Sequence, residues 1–306
     1  MTFKRRIASA LLIAASSLLL GACASSRGAS PERPAAAAGP PFAVLAASEV
    51  RRTAALAGWK TIVGEQAAAS AAPELRPVTA TLAALPPGLS DFPRLPLVNI
   101  EDEKSRSEEE TRESLRRFLA AAAPLLGFDL KHLSLVEVTD APAAAAGARR
   151  ALYRQTPFAY PLRNGYGVVE VTFTPDQRVV GLSSTAVPAD AALARALAAV
   201  PKTLTAAQAA AALSNRTVTY AGPAGAQQTR VLTQPEAAAV RQLVVYPVRR
   251  DADPVALELH VAWEVSAGDA ASPLLVYVDA ATGDLLGASA GAEPGTTNGG
   301  PKASGL

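Results

Sequence analysis

The strictest constraint in this chain is the alternation between residues 256 and 265. Leu257, Leu259, Val261, Trp263 and Val265 take every second position, with Ala256, Glu258, His260, Ala262 and Glu264 between them. Successive side chains of a strand point to opposite sides, so this run is a β-strand laying its aliphatic row on a core. Residues 274–278 supply a return strand. Asp279-Ala280-Ala281-Thr282-Gly283-Asp284 then turns the chain, Gly283 taking the positive-φ position, before Leu285 and Leu286 resume the apolar pattern. The same period appears earlier. Val169, Val171 and Phe173 alternate with Glu170 and Thr172, and Pro175-Asp176-Gln177 turns the chain into residues 178–182 as a hairpin. Shorter strands fall at 133–138, 151–155 and 243–248, the last bent by Pro247.

Other stretches carry a helical period. Leu115, Phe118, Leu119 and Ala122 recur at i, i+3, i+4 and i+7. Ser107 and Glu110 stand before them at capping-box spacing, Glu108 and Glu109 favour the positive end of the helix dipole, and Pro124 and Gly127 should stop the helix. The mixed charges of 101–117 read as a solvated helix face. Residues 190–200 form a second helix, and Thr205 with Gln208 opens a third. Residues 50–72 can form a helix around Leu56, Trp59 and Val63, but prolines at 73, 77, 86, 87, 93 and 96 forbid a long one afterwards. Helices segregated from antiparallel hairpins make an α+β protein.

The 306 residues suffice for one or two domains, although alanine inflates the 49 % hydrophobic share. Two His and one Cys rule against a catalytic zinc, which usually needs three protein ligands, and against a disulfide. At the N-terminus, Lys4, Arg5 and Arg6 precede an apolar run from Ile7 to Leu20, shorter than the roughly 20 residues a membrane span needs. It reads as a signal segment. Leu20-Gly21-Ala22-Cys23 resembles the bacterial lipobox, which implies cleavage between Ala22 and Cys23 and lipidation of Cys23, the chain's only cysteine. Several acyl chains would anchor it firmly. With no acidic residue at Ala24 or Ser25, the resemblance favours the periplasmic leaflet of an outer membrane, where the cell has one. Without the three basic residues of the signal, the 29 Lys and Arg fall just short of the 27 Asp and Glu. A near-neutral chain lacks the basic surface that nucleic acid requires.

The expected organisation is a signal peptide (1–22), an Ala/Pro-rich tether (23–48), a loosely structured lead-in (49–100), two small modules (101–188 and 189–288) and a disordered tail (289–306). The tether and tail are too poor in large side chains to offset their ordering entropy.

Several stretches of 110–288 resemble the pro-region of secreted thermolysin-like and fungalysin-like metallopeptidases, an FTP module followed by a PepSY module. In the first module these are Leu126-Gly127-Phe128, Leu152-Tyr153-Arg154-Gln155, Tyr160-Pro161-Leu162, the 168–182 hairpin and Val187-Pro188. In the second they are the run Leu259 to Val265, then Val276 through Leu285, with Trp263, Tyr277, Asp279, Thr282 and Gly283 as the signature positions. The resemblance implies two cystatin-like modules, each a helix packed on an antiparallel sheet. It also implies a role in binding, inhibiting or assisting the folding of a peptidase. The catalytic half of those families carries His-Glu-x-x-His, and here His132 and His260 stand far apart in no such motif. The expectation is a noncatalytic lipoprotein with no metal and no cofactor, its partner a thermolysin-like or fungalysin-like peptidase. A structural envelope lipoprotein without a peptidase partner, or the remnant of a peptidase precursor, are the alternatives.

The remaining chemical candidates read as structural. Asp279 and Asp284 flank a turn and lack the further oxygen ligands a Ca²⁺ site needs. His260 sits on the polar row of its strand as a solvent-facing or hydrogen-bonded residue, and Trp263 in the core. Ser48, Ser183 and Ser184 have no His and acid arranged beside them in sequence, and Gly165-Tyr166-Gly167 falls short of a dinucleotide-binding pattern.

Overall fold

The computed structural model describes residues 40–89, 91–98, 106–222, 226–232, 239–252, 255–268 and 273–291. The signal peptide, Ala22, Cys23 and residues 292–306 lie outside the described residues. From Pro40 onward the chain is one compact unit, and its architecture is α+β.

The first sheet is an antiparallel meander of β4 (Leu133–Asp140), β5 (Arg149–Gln155), β6 (Val168–Phe173) and β7 (Val179–Ser184), in that order. The long helix α3 (Arg106–Leu126) lies on it. Leu115, Phe118, Leu119 and Ala122, the face expected from periodicity, are all buried against Tyr153, Val169, Val171 and Leu182. Two expectations for this helix fail. It already includes Arg106, so Ser107 lies inside it rather than at the N-cap. Pro124 does not stop it either: Leu125 and Leu126 are fully buried and their packing holds the last turn. Gly127, at φ +74°, ends it, with Ser184 Oγ donating to the orphaned Leu126 carbonyl.

The expected loose lead-in is ordered. α1 (Glu49–Val63) is capped by Ser48, whose side chain accepts the Arg51 N–H, and buries Trp59 against α3. The two helices meet so closely that a Cβ on Gly58 would lie 3.0 Å from the Leu125 amide nitrogen. A short α2 (Glu65–Ser70) follows, then the small hairpin of β2 (Glu74–Leu75) and β3 (Leu82–Ala84). The prolines space these elements without unmaking them, because Leu82, Leu89 and Leu95 are buried in the same core as α3. The tether is also shorter than expected: Ala43–Ala46 is a strand, β1, ordered because Ala43 and Leu45 are buried.

The second sheet is built around β11 (Ala256–Ala267). One side of β11 pairs along its length with β10 (Ala239–Arg250); the other pairs first with β1 and then with β12 (Leu274–Asp279), beyond which lies β13 (Leu285–Ala290). The helices α4 (Ala191–Ala199) and α5 (Ala206–Ala211) cover the face carrying Leu257, Leu259, Val261 and Val265. Thr205 and Gln208 form the expected capping box on α5. A further hairpin, β8 (Arg216–Ala221) and β9 (Gln227–Leu232), completes that layer. Sequence gives little sign of it, because most of its residues are exposed and it buries chiefly Val218 and Leu232.

Replacing Trp59 with alanine should cost about 3–5 kcal/mol, the usual penalty for emptying a buried aromatic site. Urea denaturation measures it, and a cost near zero would return this segment to a loose lead-in.

Candidate functional site

The signature residues converge on the turn after β12 and fasten it internally. Asp279 Oδ1 accepts the N–H groups of Ala281 (2.7 Å) and Thr282 (3.0 Å), while Oδ2 lies 2.6 Å from His260 Nδ1. Burial pushes the Asp279 carboxyl up, but the His260 ring and the Thr282 and Ala281 N–H groups outweigh it and hold its pKa below the ordinary value. Thr282 Oγ1 donates to Asp284 at 2.7 Å. Gly283 has φ +81°, as the turn requires, and the Leu204 side chain packs over it. Leu204 also accepts the Trp263 indole N–H (3.0 Å) and donates its own N–H to Ala280 (2.9 Å). Trp263, Gly283 and the 279–284 turn thus clasp the α4–α5 connector to the hairpin. Tyr277 points to the other face of the sheet and packs against Tyr246, ring centres 4.6 Å apart.

That other face is not the solvated row the sequence suggests. His260 is 8 % exposed and Glu264 is fully buried. His260 lies between Asp279 and Glu258, whose Oε2 is 3.7 Å from Nε2, with the Phe42 ring 4.6 Å away. This is the hydrogen-bonded alternative for His260, not the solvent-facing one. Glu264 meets Arg163, 101 residues away, through a guanidinium nitrogen at 2.5 Å, and also accepts from Gln242 at 3.2 Å. The 161–164 segment reinforces this pair: Arg163 N–H donates to Val245, Val245 N–H to Pro161, and Asn164 to Pro247. Sequence reasoning missed the pair. Its one signal was a carboxylate on a strand too apolar to leave either row in water.

Among the described residues neither histidine ring hydrogen-bonds a serine or threonine hydroxyl. The only hydrogen bond the His260 side chain makes among the described residues is to Asp279, and a nucleophile must stand within hydrogen-bond reach of its base. Two of the candidate serines are committed elsewhere: Ser184 Oγ bonds Leu126 and Ala186, and Ser48 caps α1. Among the described residues no group of three or more His, Cys, Asp or Glu side chains is placed to hold a metal ion. None of the described helices is long and apolar enough to cross a membrane.

Two concave features adjoin α3. A cavity of about 400 Å³ lies where α1, the 79–80 turn and the end of α3 meet, with Arg51, His132, Asp129 and Gln155 in its walls. Gln155 spends its side chain in a two-way bond with the Val187 backbone. A groove of about 460 Å³ runs between α3 and β4, over an apolar floor. Beside it, β4 pairs only with β5 among the described residues, leaving its other edge open.

No family model matches this chain, and no curated protein does. Among solved structures it is similar to the Bacillus megaterium YpeB C-terminal domain, at 11 % identity and a TM-score of 0.28, over 66 % of this chain and 73 % of that one. A superposition that loose leaves the function to be argued from the chain's own residues.

Two expected outcomes follow from the buried charges. Arg163→Met, which leaves the Glu264 carboxylate only the Gln242 amide at 3.2 Å and the Arg241 guanidinium at 3.9 Å, should cost up to about 3–5 kcal/mol, while the double variant Arg163→Met/Glu264→Leu recovers most of it; denaturant midpoints read both. Asp279 has a depressed folded pKa, so its stabilisation is present above its unfolded value of about 3.9 and is lost as pH falls through the folded value. Asp279→Asn should therefore destabilise at neutral pH, and its gap from the parent should narrow below about pH 4. A gap unchanged by pH would refute that role for the carboxylate.

Proposed function

We propose that this chain is a noncatalytic, lipid-anchored protein of a bacterial envelope. Its cystatin-like FTP and PepSY-like modules bind a thermolysin-like or fungalysin-like metallopeptidase in trans, inhibiting it or assisting its folding. The lipobox-like segment ending at Cys23 supports the anchor, and the residues of 110–288 that resemble a peptidase pro-region support the partner. The observation that carries the binding role is the open edge of β4. An eight-residue strand with one side unpaired among the described residues presents N–H and C=O groups that an extended segment of a partner can join. The signature residues serve the reading as structure: Trp263, Asp279 and Gly283 fix the hairpin and touch no reacting group.

The test of the partner is a titration of the chain against such peptidases, following hydrolysis of a small reporter peptide. Saturable loss of activity with the chain remaining intact is the expected result; unchanged activity together with digestion of the chain would overturn it. The anchor has its own test. Cys23→Ser should move the protein from the membrane to the soluble fraction, and a variant still sedimenting with membranes would refute lipidation.

A further inference from the structure

The groove between α3 and β4 has a chemistry that peptidase binding does not use. Its floor is Leu119 from α3, Leu130 from the single turn 130–132, Leu133 and Leu135 from the start of β4, and Tyr153 from β5. Burial raises the Tyr153 phenol to about 12, the mark of a floor poorly reached by water. Every charged residue lining the groove is a cation: Arg112, Arg116 and Lys131. Their carboxylate partners, Glu108, Glu113 and Asp129, lie outside the lining. Glu113 is shared, because Arg116 and Arg117 both bond it, at 2.6 and 2.7 Å, so one carboxylate faces two guanidinium groups. The pairs at the mouth are largely exposed, with Arg112 and Arg116 side chains 60 % and 62 % accessible. Exposed pairs of this kind contribute little stability, although Arg116 holds Glu113 with two nitrogens, at 2.6 and 2.8 Å, so a ligand carboxylate at Arg116 must compete with that fork.

An apolar floor under a cationic mouth suits one kind of molecule. We propose that this groove binds a single-chain amphipathic carboxylate, of the fatty-acid class, with its aliphatic chain on Leu119, Leu130, Leu133 and Leu135 and its carboxylate at Arg112, Arg116 and Lys131. The volume of about 460 Å³ falls within the range of small-ligand sites. A neutral lipid would gain the floor and forgo the mouth. A short acid would gain the mouth and forgo the floor, so both ends are needed for affinity.

The test uses the full-length chain carrying Cys23→Ser, to keep its own acylation out of the assay, with dodecanoate below its micellar concentration as the probe in calorimetry. One saturable site is expected, with dodecanol and acetate each bound at least roughly tenfold more weakly, the scale of one lost charge-assisted contact. Arg112→Gln/Arg116→Gln, two substitutions on the exposed side of α3, should weaken dodecanoate by a similar factor and leave the denaturant midpoint unchanged. Leu130→Trp, which fills the floor, should abolish binding in a chain that remains folded by circular dichroism. Equal binding of dodecanol and dodecanoate, indifference to the arginine pair, or full binding in Leu130→Trp would each overturn the assignment. So would a chain that ignores dodecanoate yet sediments with anionic phospholipid vesicles in an Arg112- and Arg116-dependent way, since that is a surface for bilayers. None of these outcomes depends on a peptidase, so this assignment and the peptidase reading fail separately.

Discussion

A carboxylate with no exposure cannot sit unpaired inside a sheet, and Glu264 is such a carboxylate. Its position on β11 is dictated by the strand's alternation, but its neutralisation comes from Arg163, in the segment between β5 and β6. Satisfying that one charge draws residues 161–164 alongside β10, where backbone bonds between Pro161, Arg163 and Val245 continue the ladder. The first sheet is thereby fastened to the second through a polar contact, while the aliphatic faces of each sheet are filled by their own helices. The arrangement specifies where the two halves join more sharply than apolar packing alone would, because a displaced Arg163 would leave Glu264 only Gln242 and the more distant Arg241.

The hairpin of β11 and β12 illustrates how a sequence signature can be conspicuous and still serve structure. Asp279 gathers two backbone N–H groups and a histidine ring, Gly283 supplies a positive φ, and Trp263 reaches the Leu204 carbonyl. Each contact closes the turn or fastens the α4–α5 connector to it. The surfaces proposed to bind lie elsewhere, at the edge of β4 and in the groove next to it, where the residues form no short motif. Chemistry at such a place is a property of juxtaposition, with Arg112 and Arg116 from a helix, Lys131 from a single turn and Leu133 from a strand.

What could be read in advance follows the range of the interaction. The buried face of α3, the capping box at Thr205, the alternation of β11 and the turn at Gly283 all rest on residues within a few positions of one another, and all were legible. The helix around Trp59 was half legible. Its period was visible, but its weight was not, because that depends on Gly58 meeting Leu125 across the helix interface. Strand β1 was illegible for the same reason: four residues, two of them alanine, acquire a reason to be extended only when β11 offers an edge. Of the candidate site, the sequence marked His260 and Asp279 singly, and only the register of β11 against β12 brought them together.

By itself the sequence determined the α+β class, the positions of most strands and of α3, α4 and α5, and the scarcity of metal-binding side chains. These depend on periodicity and composition, which are local. The tertiary structure decided that both rows of β11 are buried, that Arg163 answers Glu264, that the stretch around Trp59 is core, and that three cations overlook an apolar groove. Those outcomes depend on contacts between residues far apart in sequence, such as Arg163 and Glu264 at 101 positions. No local preference encodes such pairs; they are fixed when the chain's apolar faces close on one another and every buried charge must find its partner.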